Sequence, residues 1–145
     1  MTKKDWAIKI VNQMYDDDPF CKLLGIKIVE INPGACKIKM QVKRNMLNSQ
    51  KIAHGAISYT LADTALAYAS NSRGKKSVSV ETSISHVAPV KEGDTIFATA
   101  GEVSVSNKIG VYQIKLTNQE NIIVGFFKGI VYRTSKNWFE DFRVE

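Results

Sequence analysis

The stretch from Ile52 to Ser72, IAHGAISYTLADTALAYASNS, decides the fold. Its apolar side chains recur around most of the circumference of a helix, which predicts a long α-helix buried on most sides. Asp63 is the only acidic residue in the stretch, and His54 is the only other residue expected to titrate near neutral pH. Removing an unpartnered carboxylate from water is costly. Asp63 therefore either caps or pairs within the fold, or it performs chemistry.

The segments on either side of this helix predict β-strands. Two strands with alternating faces, joined by an NPG turn, precede it, and four more follow it, separated by polar turns. The strand segments are IKIVEI, ACKIKMQVKR, SVSVETSISHVA, TIFATAGEVSVS, GVYQIKLT and NIIVGFFKGIVYR. An antiparallel sheet wrapped around one long central helix satisfies this pattern, so we predict an α+β fold.

The chain is predicted to form one domain over residues 1–145. Thr2 and Asp5 have the spacing of a capping box, which predicts a first helix within an N-terminal helical segment over 1–24. The core is expected over 25–134 and a tail over 135–145.

Composition excludes several classes of protein. Hydrophobic residues make up 44% of the chain and charged residues 23%, an ordinary balance for a folded protein. We expect a cytoplasmic location, since no signal peptide or membrane span is recognisable. Cys21 and Cys36 are far apart, so we expect reduced core cysteines and no metal site. The net charge of +6 fits an anionic partner, but no nucleic-acid-binding motif accompanies it. Lys37, Lys39 and Lys43 alternate, which indicates the solvated face of a strand.

A helical wheel divides the long helix into two faces. The face predicted to pack on the protein's own sheet carries Ile57, Leu61, Thr64, Ala65 and Tyr68. The roughly opposite face carries Gly55, Tyr59, Ala62, Asp63, Leu66 and Ser70. Flanking loops or a second copy of the chain can cover this second face. We predict the second copy, because small residues let backbones approach closely and twofold axes commonly pair identical faces.

Asn48, His54, Gly55 and Asp63 carry a resemblance to a known family. The sequence resembles the hotdog-fold acyl-CoA thioesterases, most closely the phenylacetate-degradation (PaaI-type) group. That group has an Asn, then HGG six residues later, then an Asp nine residues after the His. SISHVAPVKEGD and GFFKGIVYR are similar too, so the resemblance covers about residues 20–134.

The resemblance implies a hotdog fold, a homodimer or dimer of dimers, and hydrolysis of an acyl-CoA, with phenylacetyl- or hydroxyphenylacetyl-CoA as candidates. It implies no separate cofactor, because coenzyme A is part of the substrate. Ala56 replaces the second glycine of the group, and its methyl can narrow the approach to the helix start. Some proteins of this scaffold bind acyl-CoA without cleaving it, so a non-catalytic binding or regulatory protein is the alternative. A hydratase ranks lower, because its catalytic His would need a different placement.

Each residue of the motif has an expected role. The Gly55 N–H, unpaired at the helix start, can polarise the thioester carbonyl. Asp63 either attacks directly or activates water. The family match implies that the Asn48 amide orients water or the thioester. His54 is expected to bond backbone at the junction of loop and helix, since in the family the Asp, and not the His, performs the chemistry.

Other residues are candidates for binding substrate. They are Ala56, Tyr59, Ser79, Thr82, His86, Lys108, Gly110, Lys128 and Arg133. Ser79 and Thr82 can hydrogen-bond Asp63 or water. Basic residues at the SNKIG turn and on the last strand can bind the phosphates of coenzyme A, and His86 can line the same groove.

Spacing along the helix predicts how the site is assembled. Gly55 and Asp63 are eight residues apart, which is about 12 Å along the axis at 1.5 Å per residue. A carboxylate acting on a carbonyl must lie within about 3–3.5 Å of it, or one water further. Pairing two helices antiparallel about a twofold axis near Tyr59 brings Gly55 of one chain to Asp63 of its partner. We therefore expect two equivalent sites per dimer, with Asn48 and Gly55 from one chain and Asp63 from the other.

Overall fold

The computed structural model describes residues 1–143. Three α-helices and six β-strands follow one another along the chain, with a short 3-10 helix before the third α-helix. In chain order they are α1 (Lys3–Asp16), α2 (Pro19–Leu24), β1 (Lys27–Asn32), β2 (Ala35–Gln41), the 3-10 helix (Arg44–Met46), α3 (Gly55–Asn71), β3 (Lys75–His86), β4 (Thr95–Val105), β5 (Ile109–Thr117) and β6 (Ile123–Asn137). The α+β prediction is confirmed.

The six strands form one antiparallel sheet in the order β1-β2-β4-β5-β6-β3. On β2, the side chains of Cys36, Ile38 and Met40 are buried beneath α3, whereas Lys37 and Lys39 alternate with them on the other face. This alternation follows from the period-2 pleat of a strand. It confirms that these lysines lie on the solvated side of the sheet. Strand β3 lies at one edge and pairs only with β6.

The sheet wraps around α3, which contacts β2, β3, β4, β5 and β6. Leu61, Ala65 and Tyr68 are almost completely buried, as the helical wheel predicts. Burial of a side chain as large as that of Leu61 stabilises the fold by about 1.5–3 kcal/mol. The helix therefore forms the centre of the hydrophobic core.

The wheel is wrong about part of the second face. Ala62, Leu66 and Ser70 are at most 1% exposed within the single chain. Gly129 explains the burial of Leu66, because a methyl group at that position of β6 would overlap the Leu66 side chain. The missing side chain lets β6 approach the helix closely, so the sheet covers more of the helix than periodicity indicates.

A narrower stripe of α3 stays accessible. This open stripe consists of Ala56, Thr60, Asp63 and Ala67, which are exposed or half-buried. The four residues recur at spacings of three and four, so they share one side of the helix. The surface available to a second copy of the chain therefore centres on Asp63.

The end of the chain packs near the end of α3. Strand β6 continues to Asn137, past the predicted end of the core at residue 134. Trp138 then donates a hydrogen bond from Nε1 to Oδ1 of Asn71 at 2.8 Å. The ring of Phe142 lies edge-on to Trp6 of α1, with 5.3 Å between ring centroids. The described part of the predicted tail, residues 135–143, thus packs on α1 and on the last turn of α3, and residues 144 and 145 lie outside the described residues.

Two local predictions, the capping box and the buried free cysteines, are confirmed. Thr2 accepts a hydrogen bond from the Asp5 N–H, and the Asp5 carboxylate accepts one from the Thr2 N–H, which completes the capping box. Cys21 and Cys36 are buried free thiols. Within residues 1–143, no helix is both long and apolar enough to cross a membrane, and no cluster of side chains is suited to hold a metal ion.

Candidate active site

A cavity of about 410 Å³ opens where α3 begins. Three of the predicted site residues line it, namely Asn48, Gly55 and His86. Ser58 and the segment 87–90 complete much of the wall. The structure therefore brings a side-chain amide, an imidazole and a helix N-terminus into one space.

The loop before α3 fixes the orientation of Asn48. Its Oδ1 accepts hydrogen bonds from the N–H groups of Gln50 at 2.9 Å and Ile52 at 3.4 Å. Backbone N–H groups only donate, so the oxygen of the amide must face the loop. The Nδ2 group is then left as the polar atom of Asn48 that can serve the cavity, and it is a donor.

Gly55 is the first residue of α3, as predicted, and it is exposed. The first four N–H groups of a helix have no acceptor within the helix, and the helix dipole favours negative charge there. His54 caps the helix, with Nδ1 accepting a hydrogen bond from the Ala56 N–H at 3.3 Å. The predicted bond of His54 to backbone is thus present, and it occupies the nitrogen that a general base would need free.

His86 lies against Gly55. A Cβ atom on residue 55 would lie 3.3 Å from Nε2 and 3.4 Å from Cε1 of the His86 ring. The last residue of β3 therefore contacts the first residue of α3, because the strand runs antiparallel to the helix and its C-terminal end lies beside the helix N-terminus. The sequence shows no such proximity, since 30 residues separate the two positions.

Tyr59 and Thr82 contact one another between α3 and β3. Their hydroxyl groups form a short hydrogen bond. The Tyr59 ring also lies edge-on to Phe127 at 5.1 Å. A β-bulge between Ser79 and Glu81 changes the alternation of β3 at this point. It allows both predicted strand residues to pair with β6 residues of the helix-covered face.

The predicted hydrogen bond from Ser79 or Thr82 to Asp63 is absent in the single chain. The Thr82 hydroxyl bonds to Tyr59 instead. Within residues 1–143, Asp63 has neither a hydrogen-bond donor nor a cationic partner, so nothing there assigns it a structural role as a cap or ion-pair partner. The pKa of Asp63 is raised above its ordinary value, because the surrounding helix and sheet remove part of its hydration.

Asp63 does not line the cavity that contains Asn48 and Gly55. Both Gly55 and Asp63 belong to one uninterrupted helix, so their separation is about 12 Å along its axis. Asp63 lies instead on the open stripe, facing away from the chain's own core. One chain thus supplies the donors and the carboxylate at two different places.

Within one chain, the predicted phosphate-binding residues lie away from His86. On β6, Gly125 pairs with His86 and Arg133 pairs with Ser77. Eight residues of strand separate the two β6 positions, about 26 Å at 3.3 Å per residue. Lys128 lines a second cavity of about 360 Å³ on the outer face of the sheet.

Lys108, in the turn between β4 and β5, and Arg133, on β6, lie next to one another. Arg133 donates from its backbone N–H to the Lys108 carbonyl at 2.7 Å and from Nη1 to the Ser106 carbonyl at 2.6 Å. Gly110 is buried, and a Cβ there would lie 2.9 Å from the Tyr112 ring. Gly110 is therefore required by core packing, which the sequence did not indicate.

Sequence reasoning missed Ser58 and the segment 87–90 as cavity residues. Ser58 is 5% exposed and follows Gly55 by three residues, so both lie on one side of α3. That spacing is a usable signal. The sequence does not show that residues 87–90 approach the cavity, because their contact with Ala53 depends on a long-range hydrogen bond from the Ala53 N–H to the Val90 carbonyl.

Comparisons with known proteins show what this chain is similar to. A family model described as the thioesterase superfamily matches residues 50–124. Acyl-coenzyme A thioesterase PaaI of Escherichia coli (strain K12) is 37% identical over 133 residues, which cover 92% of this chain and 94% of that protein.

Two solved structures are similar as well. The E. coli PaaI protein from the phenylacetic acid degradation operon superposes with a TM-score of 0.92 at 34% identity, covering 94% of this chain and 99% of that one. The protein smu.793 from Streptococcus mutans UA159, solved bound to acetyl CoA, gives a TM-score of 0.75 at 26% identity over 77% of this chain and 90% of that one.

Proposed function

This chain belongs to the thioesterase superfamily and has the expected hotdog fold, and on that premise we propose that it hydrolyses acyl-CoA thioesters. The similar E. coli protein is named an acyl-CoA thioesterase, and the similar S. mutans protein was solved with acetyl CoA. The observation that carries the proposal is the cavity at the start of α3, where Asn48 and Gly55 present donors to one space.

These donors suit the carbonyl oxygen of a thioester. As a nucleophile adds to the carbonyl carbon, negative charge develops on that oxygen. The Gly55 N–H, at the positive end of α3, and the Asn48 Nδ2 group can hold it. One such donor is commonly worth about 10²–10³-fold in rate. The first glycine of the motif also keeps the helix start open to the substrate.

Asp63 supplies the nucleophilic half of the reaction in this proposal. It either removes a proton from water as the water attacks, or attacks the carbonyl carbon itself to form an anhydride that water then cleaves. In both routes the carbon–sulfur bond breaks and coenzyme A leaves as the thiol. The raised pKa makes the Asp63 carboxylate a stronger base than an ordinary one.

In a dimer with shared active sites, the Asp63 carboxylate of one chain would meet the Asn48 and Gly55 donors of the other. Asp63 lies on the open stripe of α3, outside the cavity of its own chain. Strand β3 offers a free edge beside that stripe, where Val78 is 57% and Val80 is 60% exposed. Pairing two copies about a twofold axis would cover this surface and bring Asp63 of one chain to Gly55 of the other.

The finer features of the proposal follow from the resemblance. We expect aryl-acetyl groups, such as phenylacetyl or hydroxyphenylacetyl, among the preferred acyl groups. We also propose that dimers associate in pairs, that the enzyme works in the cytoplasm, and that it needs no cofactor apart from the coenzyme A of its substrate.

Release of free thiol from a panel of acyl-CoA thioesters tests the proposal. The panel should contain acetyl-, hexanoyl-, palmitoyl-, benzoyl- and phenylacetyl-CoA. We expect hydrolysis, with phenylacetyl-CoA among the better substrates, and its loss in the Asp63→Asn variant. Calorimetric binding of several of these compounds without thiol release from any would instead favour a non-catalytic acyl-CoA-binding protein.

A further inference from the structure

We propose that His86 is a further catalytic residue, which donates a hydrogen bond from Nε2 to the same thioester oxygen that the Gly55 N–H holds. This inference rests on the proposed thioester hydrolysis. It differs from the role expected from the sequence, in which His86 lies beside the phosphates of coenzyme A. The structure places His86 at the opposite end of β6 from Arg133, next to the helix start.

The distance between the two donors permits one shared acceptor. The Nε2 atom lies 3.3 Å from the position of a Cβ on Gly55. Standard backbone geometry puts that position about 2.5 Å from the Gly55 nitrogen, so Nε2 lies within about 5.8 Å of that nitrogen. The usual length of such hydrogen bonds is about 2.9 Å. One oxygen can therefore accept from two donors that are up to about 5.8 Å apart.

The His86 ring is free to meet a ligand. Within the part of the chain that the structure describes, its side chain forms no hydrogen bond, and it is exposed at the cavity wall. Two glycines lie next to it, Gly55 at the start of α3 and Gly125 directly opposite on β6. The Nε2 edge of this ring lies beside Gly55 at the cavity wall.

The chemistry needs only a donor at this position. As the nucleophile adds, the hydrogen bond from Nε2 to the oxygen strengthens because the oxygen gains charge. When the intermediate collapses, the electron pair on the oxygen re-forms the carbonyl bond, the carbon–sulfur bond breaks with its pair on sulfur, and the departing thiolate takes up a proton to leave as the thiol. The proton stays on His86 throughout, and the Asp63 carboxylate remains the base or nucleophile.

The inference also gives a reason for glycine at position 55. A Cβ at 3.3 Å from Nε2 is too close for ordinary contact, so Gly55→Ala would push the imidazole away by a few tenths of an ångström. The exposed ring can move, so folding should survive while the alignment of the donor is lost. Glycine is thus needed here for the position of His86 as well as for substrate access.

Two substitutions separate donation from packing. His86→Phe keeps a ring against Gly55 and removes the donor, whereas His86→Gln keeps an amide N–H donor at similar reach. We expect His86→Phe to lower kcat by about 10²-fold with KM nearly unchanged. We expect His86→Gln to retain kcat within about tenfold of the wild type. Binding of a non-hydrolysable acyl-CoA thioether should be similar in all three proteins, because the hydrogen bond strengthens only as charge develops.

The outcomes distinguish this inference from the proposed function. Wild-type kcat in His86→Phe, or an equal loss in His86→Gln and His86→Phe with both folded by circular dichroism, would overturn the role of His86 as a donor. If His86→Phe fails to fold, His86→Leu replaces it in the same comparison with His86→Gln. Absence of thiol release from the wild type would remove the proposed function itself, and this inference with it.

Discussion

Asp63→Asn tests whether Asp63 takes part in the reaction or stabilises the fold. It replaces one carboxylate oxygen by an amide nitrogen and preserves the shape of the side chain. If Asp63 acts as base or nucleophile, turnover should fall by about 10²–10⁴-fold, the usual contribution of a positioned acid–base group. The amide can neither accept the proton of water nor attack a carbonyl.

The structure also predicts what this variant does to stability. In the single chain, Asp63 is exposed and has no hydrogen-bonding or cationic partner within residues 1–143, so its replacement by Asn should change the free energy of unfolding of that chain by no more than about 0.5 kcal/mol. The sign follows from the pKa of Asp63, which desolvation raises in the folded state. The folded state then disfavours the charge, and this penalty appears as pH rises above the unfolded pKa. At pH 7 the variant should be as stable as the wild type or slightly more stable.

Thiol release at saturating acyl-CoA and urea unfolding at pH 7 measure the two effects. A matched control is Asp94→Ala, since Asp94 accepts hydrogen bonds from the Lys91 N–H at 2.8 Å and from Gln119 Nε2 at 2.9 Å. The control should lose about 1 kcal/mol of stability and keep its turnover. Wild-type turnover in Asp63→Asn, or a loss of more than about 2 kcal/mol, would refute the reasoning.

Three further predictions concern the fold. Glu102→Gln should cost about 1–2 kcal/mol at pH 7, because Arg73 donates to both carboxylate oxygens of Glu102. This pairing lowers the pKa of Glu102, so the difference from wild type in urea unfolding should shrink as pH falls through that pKa; an equal difference at pH 3 would contradict it. Gly129→Ala should cost about 1–3 kcal/mol by overlap with Leu66, whereas Gly101→Ala, which meets open space, should be nearly neutral in thermal unfolding. Burial raises the pKa of the Cys21 thiol to about 11 and that of the Cys36 thiol to about 12. At pH 8 iodoacetamide should therefore label neither thiol until urea unfolds the protein, as measured by mass spectrometry. Rapid labelling of the folded protein would place a thiol at the surface.

Local patterns in the sequence predict the elements of this fold well. The run from Gly55 to Asn71 combines apolar side chains at helical spacing with a glycine at its start, and both signals are local. The alternation of Ile38 and Met40 with lysines identifies β2 for the same reason. Such signals depend on residues a few positions apart, which is the range that periodicity covers.

Long-range packing explains the parts that the sequence did not indicate. Leu66 is buried because Gly129, far along the chain, lets β6 approach the helix. Likewise, His86 lies beside Gly55 only because β3 runs antiparallel to α3, so that the end of the strand meets the start of the helix. Arg133 is separated from the cavity by the length of β6. The elements of the fold were therefore predictable, whereas the grouping of residues on different elements required the structure.

Complementation between two inactive variants tests the shared active site most directly. Asn48→Ala removes the amide donor, and Asp63→Asn removes the carboxylate. After subunit exchange, a mixed dimer contains one site with both changes and one with neither. Random exchange of equal amounts should therefore restore about a quarter of wild-type thiol release, since half of the dimers are mixed and each has one intact site. Demonstrated exchange without recovery of activity, or hydrolysis by an isolated monomer, would contradict a site built from Gly55 of one chain and Asp63 of the other.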